Sequence, residues 1–136
     1  ITVTTDGLTR FEDKSSMDVD PLTINDINAG DYLEIRGDEF PAGSGQILAT
    51  ISEREDLDSA TELQGFVEAT ANPNFSILGV TIETNGGTVF RDENDAVMSS
   101  TDFFNRLANN DLVKADGAEV SDTTIVATEV EFELEF

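Results

Sequence analysis

Apolar and polar residues alternate along most of this chain in short runs, the period of strands with one buried face, and the runs occur twice in the same order. Residues 1–11, ITVTTDGLTRF, return without a gap as residues 80–90, VTIETNGGTVF. Thr2, Thr5, Gly7, Thr9 and Phe11 recur as Thr81, Thr84, Gly86, Thr88 and Phe90, and the apolar Ile1 and Val3 become Val80 and Ile82. With small gaps, Asp31–Gly37 (DYLEIRG) then matches Asp111–Gly117 (DLVKADG), and Ile47–Thr50 (ILAT) matches Ile125–Thr128 (IVAT). Similarity of this kind marks one supersecondary unit used twice.

The second copy is the fuller one. Leu63–Thr70 predicts a strand, Asn72-Pro73-Asn74 a turn, and Phe75–Thr84 a long second strand. Within that strand Phe75 and Ile77 share a face while Val80 and Ile82 have the opposite parity, so Gly79 predicts a bulge that bends it. Asn85-Gly86-Gly87 predicts a hairpin turn into a short strand at Thr88–Arg91. The one clear helix signal follows: Ser100 or Thr101 caps Asp102–Ala108, with Phe103, Phe104 and Leu107 on one apolar stripe. Asp111–Ala115 and Thr124–Phe136 supply the last two strands. The order β-β-β-α-β-β is that of a five-stranded OB-type barrel with a helix plugging one end.

In the first copy the connector Asp13–Ala29 holds Pro21 and predicts at most a short turn of helix. Pro41–Gly45 predicts a flexible link, and the charged stretch Arg54–Ala60 (REDLDSA) the junction between copies. The expected fold is all-β with one short helix: two tandem OB-like β-barrel repeats over residues 1–55 and 62–136, with a linker at 56–61. Nothing upstream of Ile1 corresponds to Leu63–Gly79, so the first repeat lacks its N-terminal strand.

Several stretches resemble a family. Gly79-Val80-Thr81-Ile82, Thr88-Val89-Phe90, Gly30-Asp31-Tyr32-Leu33-Glu34-Ile35-Arg36-Gly37 and Ala127-Thr128-Glu129-Val130-Glu131 together resemble the bacterial domain-of-unknown-function family 5666, often found as tandem repeats in secreted or lipid-anchored proteins. The resemblance implies an OB-like fold and an extracytoplasmic setting, and carries no catalytic set. Asn110-Asp111 departs from the Gly-Asp of the pattern, which the first copy keeps at Gly30-Asp31.

Charge narrows the function. Seven basic against 29 acidic residues give a net charge of −22, which makes nucleic acid and anionic membranes poor partners, favours cations, and suits a salty medium such as a marine or halophilic source. The absence of His and Cys excludes Ser-His-Asp and Cys-His nucleophiles, disulfides and ordinary zinc sites. Paired carboxylates of the glycosidase kind are not singled out among so many acids. Gly43-Ser44-Gly45 is too short to cradle a phosphate, and Asn74-Phe75-Ser76 matches a glycosylation acceptor of a length that chance supplies. No apolar run is long enough to span a membrane, and the opening at Ile1 reads as a processed or cut chain.

The unit missing from the first repeat would leave an open edge, with Ile1, Val3, Tyr32, Leu33 and Ile35 as its acceptor residues. At the other end Val130, Phe132, Leu134 and Phe136 alternate with Glu129, Glu131, Glu133 and Glu135. That run is either a long final barrel strand or a strand donated to a neighbouring molecule. The expected function is a non-enzymatic, extracellular or cell-surface structural module that self-assembles into an oligomer or filament by exchanging strands between subunits. The alternative is a monomeric module binding calcium or polysaccharide. The candidate calcium ligands are Asp18 and Asp20, with Asn25 and Asp26, and Asp92 and Asp95, with Glu93 and Asn94; neither cluster has EF-hand spacing.

Overall fold

The computed structural model describes residues 1–57 and 60–134. Its elements are β1 (Thr2–Thr4), β2 (Arg10–Asp13), a 3-10 turn at Ile24–Asp26, β3 (Tyr32–Glu39), β4 (Gln46–Glu55), β5 (Thr61–Ala71), β6 (Asn74–Ile77), β7 (Val80–Glu83), β8 (Val89–Arg91), β9 (Val97–Met98), α1 (Ser100–Arg106), β10 (Leu112–Ser121) and β11 (Thr124–Phe132).

The C-terminal copy closes. β5 pairs with β6, β6 with β7, β7 runs parallel to β11, β11 pairs with β10, and β10 returns to β5, a ring of five strands. β8 continues the parallel pairing along the far half of β11 and carries β9 on its other side. The barrel is filled by Val67, Ile77, Ile82, Val113, Ala115, Ile125, Ala127 and Val130. One end is plugged from α1 by the fully buried Phe103, whose ring centroid lies 4.8 Å from that of Phe90 and 4.7 Å from that of Phe132.

The N-terminal copy repeats the second half of this ring in matching register. β1 and β2 both run parallel to β4, and β3 is antiparallel to it. Leu33 faces Arg54 as Val113 faces Phe132, and the register slips at Arg36/Gly37 as it does at Asp116/Gly117. Local hydrogen bonds are duplicated too: Thr9 Oγ1 donates to the Ala49 carbonyl at 2.7 Å and Thr88 Oγ1 to the Ala127 carbonyl at 2.8 Å. Nothing among the described residues stands where β5 and β6 stand in the barrel, so β1 and β3 have β4 as their only partner strand.

Three local expectations are revised. Phe75–Thr84 is two strands rather than one bent strand: Ile77 pairs with Val80 around Leu78-Gly79, both with positive φ (52° and 72°), the geometry of a tight two-residue hairpin turn. Among the described residues, the first repeat therefore has no counterpart of two whole strands. Asn85-Gly86-Gly87 is not a hairpin, because β7 and β8 lie along the same partner in the same direction; the jog is held by Asn85, whose Oδ1 accepts from Gly87 N at 2.8 Å. The helix starts two residues earlier than expected, since Ser99 Oγ accepts from Asp102 N at 3.0 Å and so caps it.

The two copies differ most in their interiors. The place of Phe132 is taken by Arg54, which belongs to β4 rather than to the linker and is 2% exposed. Its guanidinium forms an ion pair with the Asp13 carboxylate, donates to the Asp26 carbonyl at 3.1 Å and lies 3.6 Å from Asp31. Asp13 also accepts from Ser15 N, Ser15 Oγ and Val19 N. Arg54 above all, and then these donors, hold its carboxyl well below the usual carboxylate range against the opposing effect of burial.

Glycine is required at both register slips. A Cβ on Gly37 would lie 2.1 Å from the Leu48 carbonyl oxygen, and one on Gly117 2.2 Å from that of Val126. Gly117→Ala is expected to lower barrel stability by about 1–3 kcal/mol through this clash, measured by urea unfolding. The open lobe responds differently from the barrel to equivalent truncations. Ile82→Ala, at a position 0% exposed, should cost about 2–5 kcal/mol, whereas Val3→Ala, at 40% exposed, should cost about 1 kcal/mol or less in the same assay.

Candidate functional site

The open side of the N-terminal lobe forms one wall of a cleft of about 1290 Å³. Ile1 and Val3 reach it from β1 and its approach, Leu33 and Ile35 from β3, and Ile47 from β4. These are the residues whose counterparts fill the closed barrel. Ile1 is 57% exposed where Val80 is 6%, and Val3 is 40% exposed where Ile82 is 0%.

The opposite wall is the outside of the barrel. Gly65 and Val67 turn inward on β5, which leaves Gln64 and Phe66 facing out, and Phe66 stands opposite Leu112 across the β5–β10 ladder. Phe66, Leu112 and Leu134 give this wall its apolar surface. Two contacts set its position against the lobe. Tyr32 Oη donates to the Ala60 carbonyl at 2.9 Å, and Gly45 abuts the β6–β7 turn so closely that a Cβ there would lie 3.4 Å from the Leu78 carbonyl. The same loop is tied to the first strand by Thr2 N donating to the Gly45 carbonyl at 2.8 Å.

The rim is acidic, with Glu34, Glu39, Glu55, Glu62 and Asp116 against Arg36. Glu62 and Asp116 are direct cross-strand partners, an arrangement that disfavours two negative charges. Desolvation first, and then the Asp116 charge, raise the Glu62 carboxyl above its ordinary value.

All five expected acceptor residues, Ile1, Val3, Tyr32, Leu33 and Ile35, therefore line one cleft. The expected assembly strand is divided. Val130 is 0% and Phe132 3% exposed inside their own barrel, where they close the core, so donation from them would require that barrel to open. Leu134 has left the barrel, is 51% exposed and lines the cleft, while Phe136 lies outside the described residues. Sequence reasoning missed the second wall; the signal was the parity of Phe66 against the inward Val67.

The four expected calcium ligands do not come together. Asp18 and Asp20 sit exposed on the loop after β2. Asp92 caps its own turn by accepting from Asn94 N and Ala96 N at 2.9 and 3.0 Å, and Asp95 is 3.2 Å from the Arg91 guanidinium. Three carboxylates close enough to share an ion occur elsewhere, at Glu34, Glu53 and Glu55.

The chain matches the family described as Domain of unknown function (DUF5666) over residues 1–50 and 64–131, one segment in each lobe, and it belongs to that family. No curated protein and no solved structure matches it significantly. Among the described residues no helix is long and apolar enough to cross a membrane.

A carboxyl raised in the folded state binds its proton more tightly there than in the unfolded chain. Stability contributed by Glu62 therefore rises as pH falls through its raised pKa and is lost on the alkaline side. Glu62→Gln is expected to raise the midpoint of thermal unfolding at pH 7 and to flatten its pH dependence just above the ordinary glutamate range, measured by calorimetric scans across that range.

Proposed function

We propose that this chain is a non-enzymatic, extracytoplasmic structural module whose N-terminal lobe is completed by β-strands of a second copy, so that the molecule assembles with itself. The observation that carries this reading is the contrast between equivalent positions: Val80 and Ile82 are buried in the barrel, whereas Ile1 and Val3 stand exposed at the strand edges of the lobe and Leu33, Ile35 and Ile47 are only partly buried there. An edge of this kind offers a row of main-chain donors and acceptors to an extended segment. Each Val, Leu or Ile moved from exposed to buried favours entry by roughly 1.5–3 kcal/mol.

The exposed Leu134 at the cleft favours the tail beyond Phe132 as the part of a neighbour that reaches in first. Such contacts are head-to-tail, and unless they close into a ring they propagate. The net charge of −22 sets subunits against each other, so association should strengthen with ionic strength. The resemblance to secreted and lipid-anchored proteins and the cation-attracting surface support an extracellular or cell-surface setting; neither nucleic acid nor bilayer insertion suits this charge.

Sedimentation combined with amide exchange tests the proposal. The expected result is a mass above the monomer that increases with protein concentration and salt, together with protection of the Leu33–Glu39 and Thr2–Thr4 amides in the associated form. Removal of residues 133–136 should weaken association, and a synthetic peptide of residues 61–79, the hairpin the lobe lacks, should bind it and displace the neighbour. A concentration-independent monomer would overturn the reading, whether its edge amides exchange freely or are protected by residues of the same molecule.

A further inference from the structure

We propose that Glu34, Glu53 and Glu55 form a binding site for a hard divalent cation of the calcium class on the outer face of the N-terminal sheet. Glu34 on β3 and Glu53 on β4 are direct cross-strand partners, and Glu55 follows on the same face of β4. One oxygen from each lies within 4.8 Å of the others. Ligand oxygens at roughly 2.3–2.6 Å from a calcium ion are separated by no more than about twice that distance, so the three fit one ion.

A second observation is independent of this clustering. Glu53 is 5% exposed, and its Oε2 is buried with no hydrogen-bond partner among the described residues. A buried anionic oxygen without a partner is costly, and a cation is the partner that removes the cost.

The neighbouring charges leave room. Lys14 engages Glu53 through Oε1 and Arg36 engages Glu34 through Oε1, so the second oxygen of each is not taken by these contacts. Both cations ride on long side chains that are 50% and 63% exposed. Glu12, the β2 cross-strand partner of Glu53, is itself ion-paired with Arg10.

The donor set selects the ion. Only carboxylate oxygens are present, with no nitrogen or sulfur ligand in the cluster, which disfavours zinc. Magnesium demands near-ideal octahedral geometry and dehydrates reluctantly, whereas calcium accepts the irregular, partly bidentate coordination that three carboxylates on a twisted sheet provide. Glu34 and Glu55 also line the cleft, so an ion here would neutralise part of its acidic rim. The site stands on these residues alone and does not depend on strand exchange.

Tyr32 makes the site testable by its own signal. It is the single tyrosine of a chain without tryptophan, and it is the cross-strand partner of Glu55. Terbium, a luminescent stand-in for calcium, should show emission sensitised by Tyr32 that calcium displaces. Calorimetric titration of the same chain with calcium chloride should saturate at one ion, within or below the range on the order of 10⁻⁴–10⁻³ M found for extracellular modules. Glu34→Gln and Glu55→Gln, both at accessible positions, should each weaken calcium binding at least about tenfold, the loss of roughly 1.4 kcal/mol. Asp92→Asn should leave binding unchanged, and Tyr32→Phe should abolish sensitised terbium emission while calcium still binds. The proposal is overturned by the absence of saturable calcium binding, by binding that survives both glutamine variants, or by bound terbium that tyrosine does not sensitise.

Discussion

A curled sheet is secure only when its last strand finds its first, and that closure is the constraint on which both halves of this molecule depend. β11 meets it by holding three neighbours at once: β7 and β8 in parallel along one edge and β10 along the other, with the β5–β6 hairpin completing the circuit. β4 makes the same three contacts with β1, β2 and β3. Without a counterpart of the hairpin, those contacts form a trough instead of a tube.

The difference in closure is matched by a difference in filling. The closed barrel has an aromatic stopper, Phe103 against Phe75, Phe90 and Phe132, with Arg106 lying over the Phe132 ring at 4.2 Å. The trough has, at the equivalent end, Arg54 bound to Asp13 and Asp31, with Leu22 and the short turn at Ile24–Asp26 in place of a helix. A buried ion pair is a poor source of net stability, because desolvation opposes the attraction, but removal of one partner leaves an uncompensated charge, so the pair enforces a single arrangement. Ser52 at the Val130 position continues the same trend away from an oily interior.

Much of this architecture was legible because the chain states it twice. Thr9 and Thr88, Gly37 and Gly117, and Ala49 and Ala127 each do the same job in their own lobe, so aligning the copies located most strands and the missing unit together, while the slips in register at Gly37 and Gly117 emerged only from the paired strands. The revisions fell where a local pattern had two physical meanings. A glycine inside an alternating run reads as a bulge, and only the left-handed backbone of Leu78 beside it makes Gly79 a turn. Ser99, Ser100 and Thr101 are consecutive hydroxyls, and composition does not choose the one whose oxygen meets Asp102 N. Arg54 opens an acidic stretch that reads as linker, yet it is the residue that organises the lobe interior. Of the cleft, the wall supplied by the repeat was readable from alignment; the wall of Phe66, Leu112 and Leu134 arises from packing between lobes, which no single copy encodes.

The charged interior has a mechanical corollary. A hollow lined only with aliphatic side chains tends to collapse when empty, because nothing fixed resists the shrinking of its wetted surface. The guanidinium of Arg54, braced by two aspartates and a main-chain carbonyl, acts instead as an internal strut that keeps the trough propped in the shape of a tube with a slot cut from it. Under the proposed strand exchange, an arriving segment would meet a vacant mould already cast, and little of its binding energy would be diverted into remaking the host.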